Sequence, residues 1–94
     1  MDTKKIRALL TALDKGSLTA AAAEMGYTQS GLTHMMNSLE DELGIRILVR
    51  SKGGVCPSPA GRELLPQLKA LARCADELEQ SVDRLIQRSF TVLR

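Results

Sequence analysis

The sequence predicts a mainly α fold: three short helices, a small β-hairpin and one long C-terminal helix. Three observations carry that expectation. Apolar residues recur at helical spacing in several separate stretches. Glycine or proline stands at the junctions between them. One segment, residues 45–56, replaces the helical period with β-branched residues on either side of a glycine pair. The chain has 94 residues, enough for one small domain whose core is only marginally self-sufficient, so a partner chain is an expected source of stability.

The first helix is expected from Met1 to Lys15, because Ile6, Leu9, Leu10 and Leu13 form one apolar stripe and Gly16 stops the run. Ser17 caps a second helix, Leu18 to Met25, whose run of alanines lets another helix approach closely; Gly26 ends it. Thr28 caps a third helix, on which Leu32, Met36, Leu39 and Leu43 recur at intervals of 4, 3 and 4 before Gly44. Tyr27 and Leu32 are expected to plug the angle between the second and third helices. Ile45–Val49 is expected as a first strand, Ser51-Lys52-Gly53-Gly54 as a turn, and Val55-Cys56 as the return strand. Ser58 then offers an N-cap and Pro59 stands at the first helical position, where its missing N–H costs nothing.

The last helix is expected to run from residue 59 to about Arg88, with residues 89–94 as a frayed tail. Along it Leu64, Leu68, Leu71, Ala75, Leu78, Val82 and Leu85 follow each other at alternating intervals of 4 and 3, a heptad seam that Leu65, Ala72 and Ile86 widen. A helix of roughly 30 residues is about 45 Å long, more than three short helices can cover. The seam therefore predicts self-association through this helix. Pro66 is expected to kink it, since its ring meets the carbonyl of Arg62.

Composition excludes several function classes. Only Tyr27 and Phe90 are aromatic, so the stacking platforms that grip single-stranded nucleic acid are missing and any nucleic-acid partner should be duplex. The net charge of +2, from 13 basic and 11 acidic residues, decides little by itself. One His, no Ser/His/Asp spacing and no Gly-rich phosphate loop argue against an enzyme, and His34, Cys56 and Cys74 fall on different elements, so no metal or other cofactor is expected. The two cysteines, with no secretory signal ahead of them and no membrane-length apolar run, point to a reduced cytoplasm; both are expected to be buried or half-buried small hydrophobes.

A short helix, a turn at Gly26 and a helix opening at Thr28 make a helix-turn-helix, the unit that sets its second helix into a DNA major groove. Thr28, Gln29, Ser30, Gly31 and Thr33 are small or hydrogen-bonding, as a helix end approaching base edges must be. Gln29 suits adenine, and Thr33 suits a base edge or a thymine methyl. A purely coiled-coil interaction module is the alternative, but it leaves the Gly26-Tyr27-Thr28-Gln29 run without a role.

The run GSLTAAAAEMGYTQSGLTHMMNSLEDELGIRILVR, followed by SPAG, resembles the N-terminal domain of LysR-type transcriptional regulators over Lys5 to about Leu85. The matching pieces are Gly16-Ser17, Ala21-Ala22, Thr28-Gln29, Leu32, Leu39-Glu40, Leu43-Gly44, Arg50 and Ala60-Gly61. The resemblance implies a winged helix-turn-helix over residues 1–58, a linker helix over 59–88 that pairs antiparallel with a second subunit, and sequence-specific binding of double-stranded DNA by a bacterial, nucleoid-associated regulator. It implies base or phosphate contacts at Gln29 and Thr33, and a wing that includes Arg50. The full set of candidate DNA-contacting residues is Thr28, Gln29, Ser30, Thr33, His34, Asn37, Arg46, Arg50 and Lys52, with Lys4 and Lys5 as further phosphate contacts. The family's effector-binding domain has no counterpart here, so the chain is expected to be either a piece of a longer regulator, the favoured reading, or a naturally truncated one, and any small-molecule inducer to act outside it. The sequence departs from the family pattern at Ser30, where proline is usual, at His34 and Asn37, where a basic residue is usual, at Leu18 and Leu48, where phenylalanine is usual, and at Cys56-Pro57, where the family has a basic-leucine step.

Overall fold

The computed structural model describes residues 2–92, in the order α1 (Thr3–Lys15), α2 (Leu18–Met25), α3 (Gln29–Leu43), β1 (Leu48–Ser51), β2 (Gly54–Pro57) and α4 (Pro59–Val92). Each helix begins where a side-chain oxygen meets an orphaned backbone donor. The side chains of Asp2, Ser17 and Thr28 accept the N–H of Lys4, Ala20 and Gly31, and the Ser58 hydroxyl accepts that of Gly61 at 2.9 Å. The cap at Asp2 moves the start of α1 to Thr3; the expected participation of Met1 lies outside the described residues. Gly16, Gly26 and Gly44 close α1, α2 and α3 where the sequence places them.

The core forms where the apolar stripes of the first three helices meet. Ile6, Leu9 and Ala12 of α1, Ala21 and Ala22 of α2, and Leu32, Met36 and Leu39 of α3 are all buried, and the small alanine methyl groups allow the close helix crossing. Leu32 fills the angle between α2 and α3 as expected. Tyr27 does not: it remains 37% exposed, because its backbone N–H turns back to the Ala22 carbonyl at 2.9 Å and closes α2.

The hairpin is shorter than expected, and it starts later. The strands pair antiparallel from Leu48 opposite Pro57 to Ser51 opposite Gly54, so Ile45, Arg46 and Ile47 lie outside the ladder. Their backbone groups are engaged elsewhere. A Glu40 carboxylate oxygen accepts the N–H of Ile47 at 2.6 Å and of Leu48 at 2.9 Å. The carbonyls of Ile47 and Arg46 accept the Ser58 N–H and hydroxyl, at 2.7 and 2.6 Å. Ile47 is consequently a fully buried core residue.

Two close approaches lock the hairpin to the body. The Val55 N–H donates to the Gly16 carbonyl at 3.0 Å, and Gly54, at φ 129°, brings its backbone so near that a Cβ there would stand 1.9 Å from the same oxygen. On the other side, a Cβ at Gly61 would meet the Ile47 carbonyl oxygen at 2.5 Å. Both positions require glycine for space. The hairpin is thereby held between the end of α1 and the start of α4.

α4 is 34 residues long and its helical assignment continues through Pro66. It ends at Val92 rather than near Arg88, since no glycine or proline follows Pro66 to stop it; of the tail expected over 89–94, residues 93 and 94 lie outside the described residues. The heptad seam divides in two. Leu68 and Ala72 are buried and Leu64 half-buried against the chain's own core, whereas Leu71, Leu78, Val82 and Leu85 are exposed, with Ala75 half-buried at the boundary. The helix gives the molecule its elongated outline of 57 × 26 × 20 Å.

Both cysteines are exposed, contrary to the expectation of burial. On β2 the inward position belongs to Val55, so strand alternation turns Cys56 outward. On α4 the packed row is Leu64, Leu68 and Ala72, and Cys74 lies two residues past that row, about 200° around the helix. No helix among the described residues is long and apolar enough to cross a membrane.

Candidate nucleic-acid interface

α3 is amphipathic in the sense that matters for a groove-binding helix. Leu32, Met36 and Leu39 pin one face to the core, Ser30, His34 and Asn37 stand exposed on the other with Thr33 half-buried beside them, and Gln29 is exposed in the first turn. At the N-terminus the Thr28 hydroxyl accepts the Gly31 N–H at 3.0 Å and lies 3.4 Å from the Ser30 hydroxyl. Thr28 and Ser30 therefore organise the first turn from which Gln29 projects. A helix N-terminus also carries a partial positive charge, which favours a phosphate nearby.

The hairpin brings basic residues to this end of the molecule. Arg50 of β1 and Gln29 of α3 border a common shallow cleft, whose other walls are Ser17 to Thr19 at the start of α2 and Ser51, Gly54 and Val55 of the hairpin. A second groove runs between α3 and β1, lined by Met36, Asn37, Glu40, Arg46, Leu48, Val49 and Arg50. Arg50 borders both. Lys52 lies exposed in the turn between the strands. The structure thus gathers Gln29, Asn37, Arg46 and Arg50 around the junction of α3 and β1, flanked along the chain by the exposed Ser30, His34 and Lys52.

Two roles in this region escaped sequence reasoning. Glu40 fixes the start of β1 to α3 through two backbone N–H groups; its one available signal was the Leu39-Glu40 pair within the family pattern. Lys5, read as a phosphate contact, donates instead to Glu42 at 2.6 Å and to the Ser38 hydroxyl at 2.9 Å. That hydrogen bond holds the Glu42 carboxyl below the usual carboxylate range, with partial burial opposing it. Lys4 is exposed. Among the described residues no three His, Cys, Asp or Glu side chains gather as a metal site.

Comparison with known proteins places this architecture in a family. Residues 3–62 match the model of the bacterial regulatory helix-turn-helix proteins of the lysR family. Similar curated proteins include the nitrogen assimilation regulatory protein nac of Escherichia coli K12, 31% identical over 87 residues that make up 93% of this chain and 28% of the relative. Another is the transcriptional regulator CbbR of Xanthobacter flavus, 32% identical across 87% of this chain and 25% of the relative. The chain thus spans about a quarter of the length of these relatives. Among solved structures, the BenM DNA-binding domain in complex with catB site 1 DNA superposes with a TM-score of 0.82 at 25% identity, covering 93% of this chain and 94% of that one. The CbnR DNA-binding domain in complex with DNA does so with a TM-score of 0.78 at 26% identity, covering 95% and 99%. The match spans α1 to the start of α4, which a coiled coil alone would leave without a purpose. This chain, with its helix-turn-helix, wing and long final helix, belongs to the LysR family of bacterial regulatory helix-turn-helix proteins.

Proposed function

We propose that the chain binds double-stranded DNA in a sequence-dependent manner as the DNA-binding part of a transcriptional regulator. In this reading α3 enters the major groove and the hairpin lies on the backbone or the adjoining minor groove. The observation that carries it is the cleft shared by Gln29 and Arg50, which sets a residue suited to reading adenine beside one suited to phosphate. That the similar BenM and CbnR domains form complexes with DNA supports the DNA-binding part of this reading. Thr28, Ser30, Thr33, His34 and Asn37 complete the face of α3, and Arg46 and Lys52 that of the wing.

The chain acts as a homodimer through α4. The exposed stripe of Leu71, Leu78, Val82 and Leu85, widened by Ile86 at 60% exposure, is a larger apolar run than a free helix keeps in water. Leu64 and Leu68 support that interface from beneath, by fixing α4 to the body. The regulator works in the cytoplasm on the nucleoid, and a small-molecule inducer acts through a part of the protein other than these residues.

Selection of duplexes from a random pool, followed by mobility shift against random duplex competitor, tests the reading. The expected result is an enriched site bound in preference to the pool, with log affinity falling by about 0.9 for each phosphate neutralised per unit of log salt. No enrichment, or an affinity indifferent to salt, would overturn it.

A further inference from the structure

Arg7 occupies an unusual place on α1. Its neighbours Ile6 and Ala8 are buried in the core, while its own Nη2 donates to two carboxylates of α4: Asp76, at 2.9 Å, and Glu79. These acids lie three residues apart and so share one face of the long helix. The Arg7 Nε is shielded from solvent and has no hydrogen-bond partner, so the guanidinium is pressed into the α1–α4 junction. Ala72 is the last buried apolar residue of α4 among those whose side chains are described. Arg7 therefore grips the helix four and seven residues beyond the point where core packing ceases to hold it.

From this arrangement we infer that Arg7 is a positioning residue that sets the angle at which α4 leaves the body, and hence the separation of the two DNA half-sites that a dimer accepts. The inference rests on the dimeric DNA-binding reading above. Its leverage comes from length. About 20 Å of helix follow Glu79, so a swing of roughly 10° moves the far end by about 3.5 Å, close to the rise of one base pair. Dimer half-sites lie one helical turn or its multiples apart, and an error of one base pair also rotates a half-site around the duplex. A planar guanidinium suits the task because its fork of donors holds two acceptors in fixed directions, which a lysine ammonium does not. Partly exposed ion pairs add little to stability, so the contact can be removed while the fold stays intact.

The test uses the whole chain and a selected half-site placed singly or in pairs whose spacing changes one base pair at a time. Three proteins are compared with the wild type: Arg7→Met, the double variant Asp76→Asn with Glu79→Gln, and the charge-reversed Arg7→Glu with Asp76→Lys and Glu79→Arg. Light scattering should find all four dimeric, and affinity for a single half-site should stay within twofold. The wild type should show one sharp spacing optimum. Arg7→Met and the double carboxylate variant should lose about threefold to tenfold at that optimum and bind neighbouring spacings nearly as well, and the charge reversal should sharpen the profile again. A spacing profile that Arg7→Met and the carboxylate variant both leave unchanged overturns the inference alone. A wild-type chain that is monomeric, or indifferent to a second half-site, overturns the dimer reading and the inference with it.

Discussion

Gln29 and Arg50 meet at one cleft but stand on different supports, and the difference predicts what each reads. Gln29 is in the first turn of a helix whose start is fixed by the Thr28 cap and whose next turns are locked into the core through Leu32 and Met36, which gives its amide a defined direction. Arg50 projects from a strand beside a glycine-containing turn, with a long stem that tolerates small changes in backbone position. Gln29→Ala should cost about 1–3 kcal/mol on the preferred site and relax preference at one base pair. Arg50→Ala should weaken all sequences alike. A panel of single-base variants of the selected site decides: a uniform loss for Gln29→Ala with a base-selective loss for Arg50→Ala would refute the division. At this scale the sequence is a good guide where a residue's role follows from its own helix. Leu32, Met36 and Leu39 face inward and His34 and Asn37 outward, as period requires; Gln29 falls on the Leu32–Met36 stripe and is exposed by its place in the first turn. It is a poor guide where the partner comes from another element. Nothing local to Lys5 marks Glu42, 37 residues away, as its acceptor.

The elements were legible wherever a boundary is chemical. Ser17, Thr28 and Ser58 are caps in the structure because each offers an oxygen to a nearby N–H, and that offer is written in the sequence. The start of β1 was not legible, because composition marks Ile45–Ile47 as strand while tertiary bonds from Glu40 and Ser58 claim their backbone groups. α4 was legible in its period but not in its division. A heptad seam names the residues on one stripe, yet only the packed body shows that Leu68 is used within the chain while Leu78, at 64% exposure, is not. That division makes the dimer testable without damage to the core. Leu71→Asp combined with Leu78→Asp alters two exposed side chains, leaves Leu68 and Ala72 in place, and places like charges on the proposed interface. The pair should convert the dimer to a monomer with unchanged helical content. Light scattering that still finds a dimer at low micromolar concentration would show that the contact lies elsewhere.

For the whole molecule, charge is arranged rather than abundant. The net charge is only +2, and α3 carries no Lys or Arg, so the basic groups lining the groove beside α3 are Arg46 and the hairpin's Arg50, and the orientation of the hairpin becomes decisive. The single hydrogen bond from Val55 to the Gly16 carbonyl, made possible by the absence of a side chain on Gly54, ties that orientation to the end of α1. A two-stranded ribbon by itself barely holds together in water, and its amides would ordinarily exchange with solvent through brief local openings. Here opening the ribbon means breaking the bond to the end of the first helix and uncovering the buried Val55 as well. The Val55 amide should therefore exchange as slowly as those of Leu32 and Met36 in the core, at a rate set by unfolding of the entire body. Protection of Val55 many-fold weaker than that of the core would show that the wing breathes independently. If the prediction holds, the wing has no folding equilibrium of its own: any change that lowers the stability of α1, however far from the DNA, also raises the fraction of molecules whose wing is out of place.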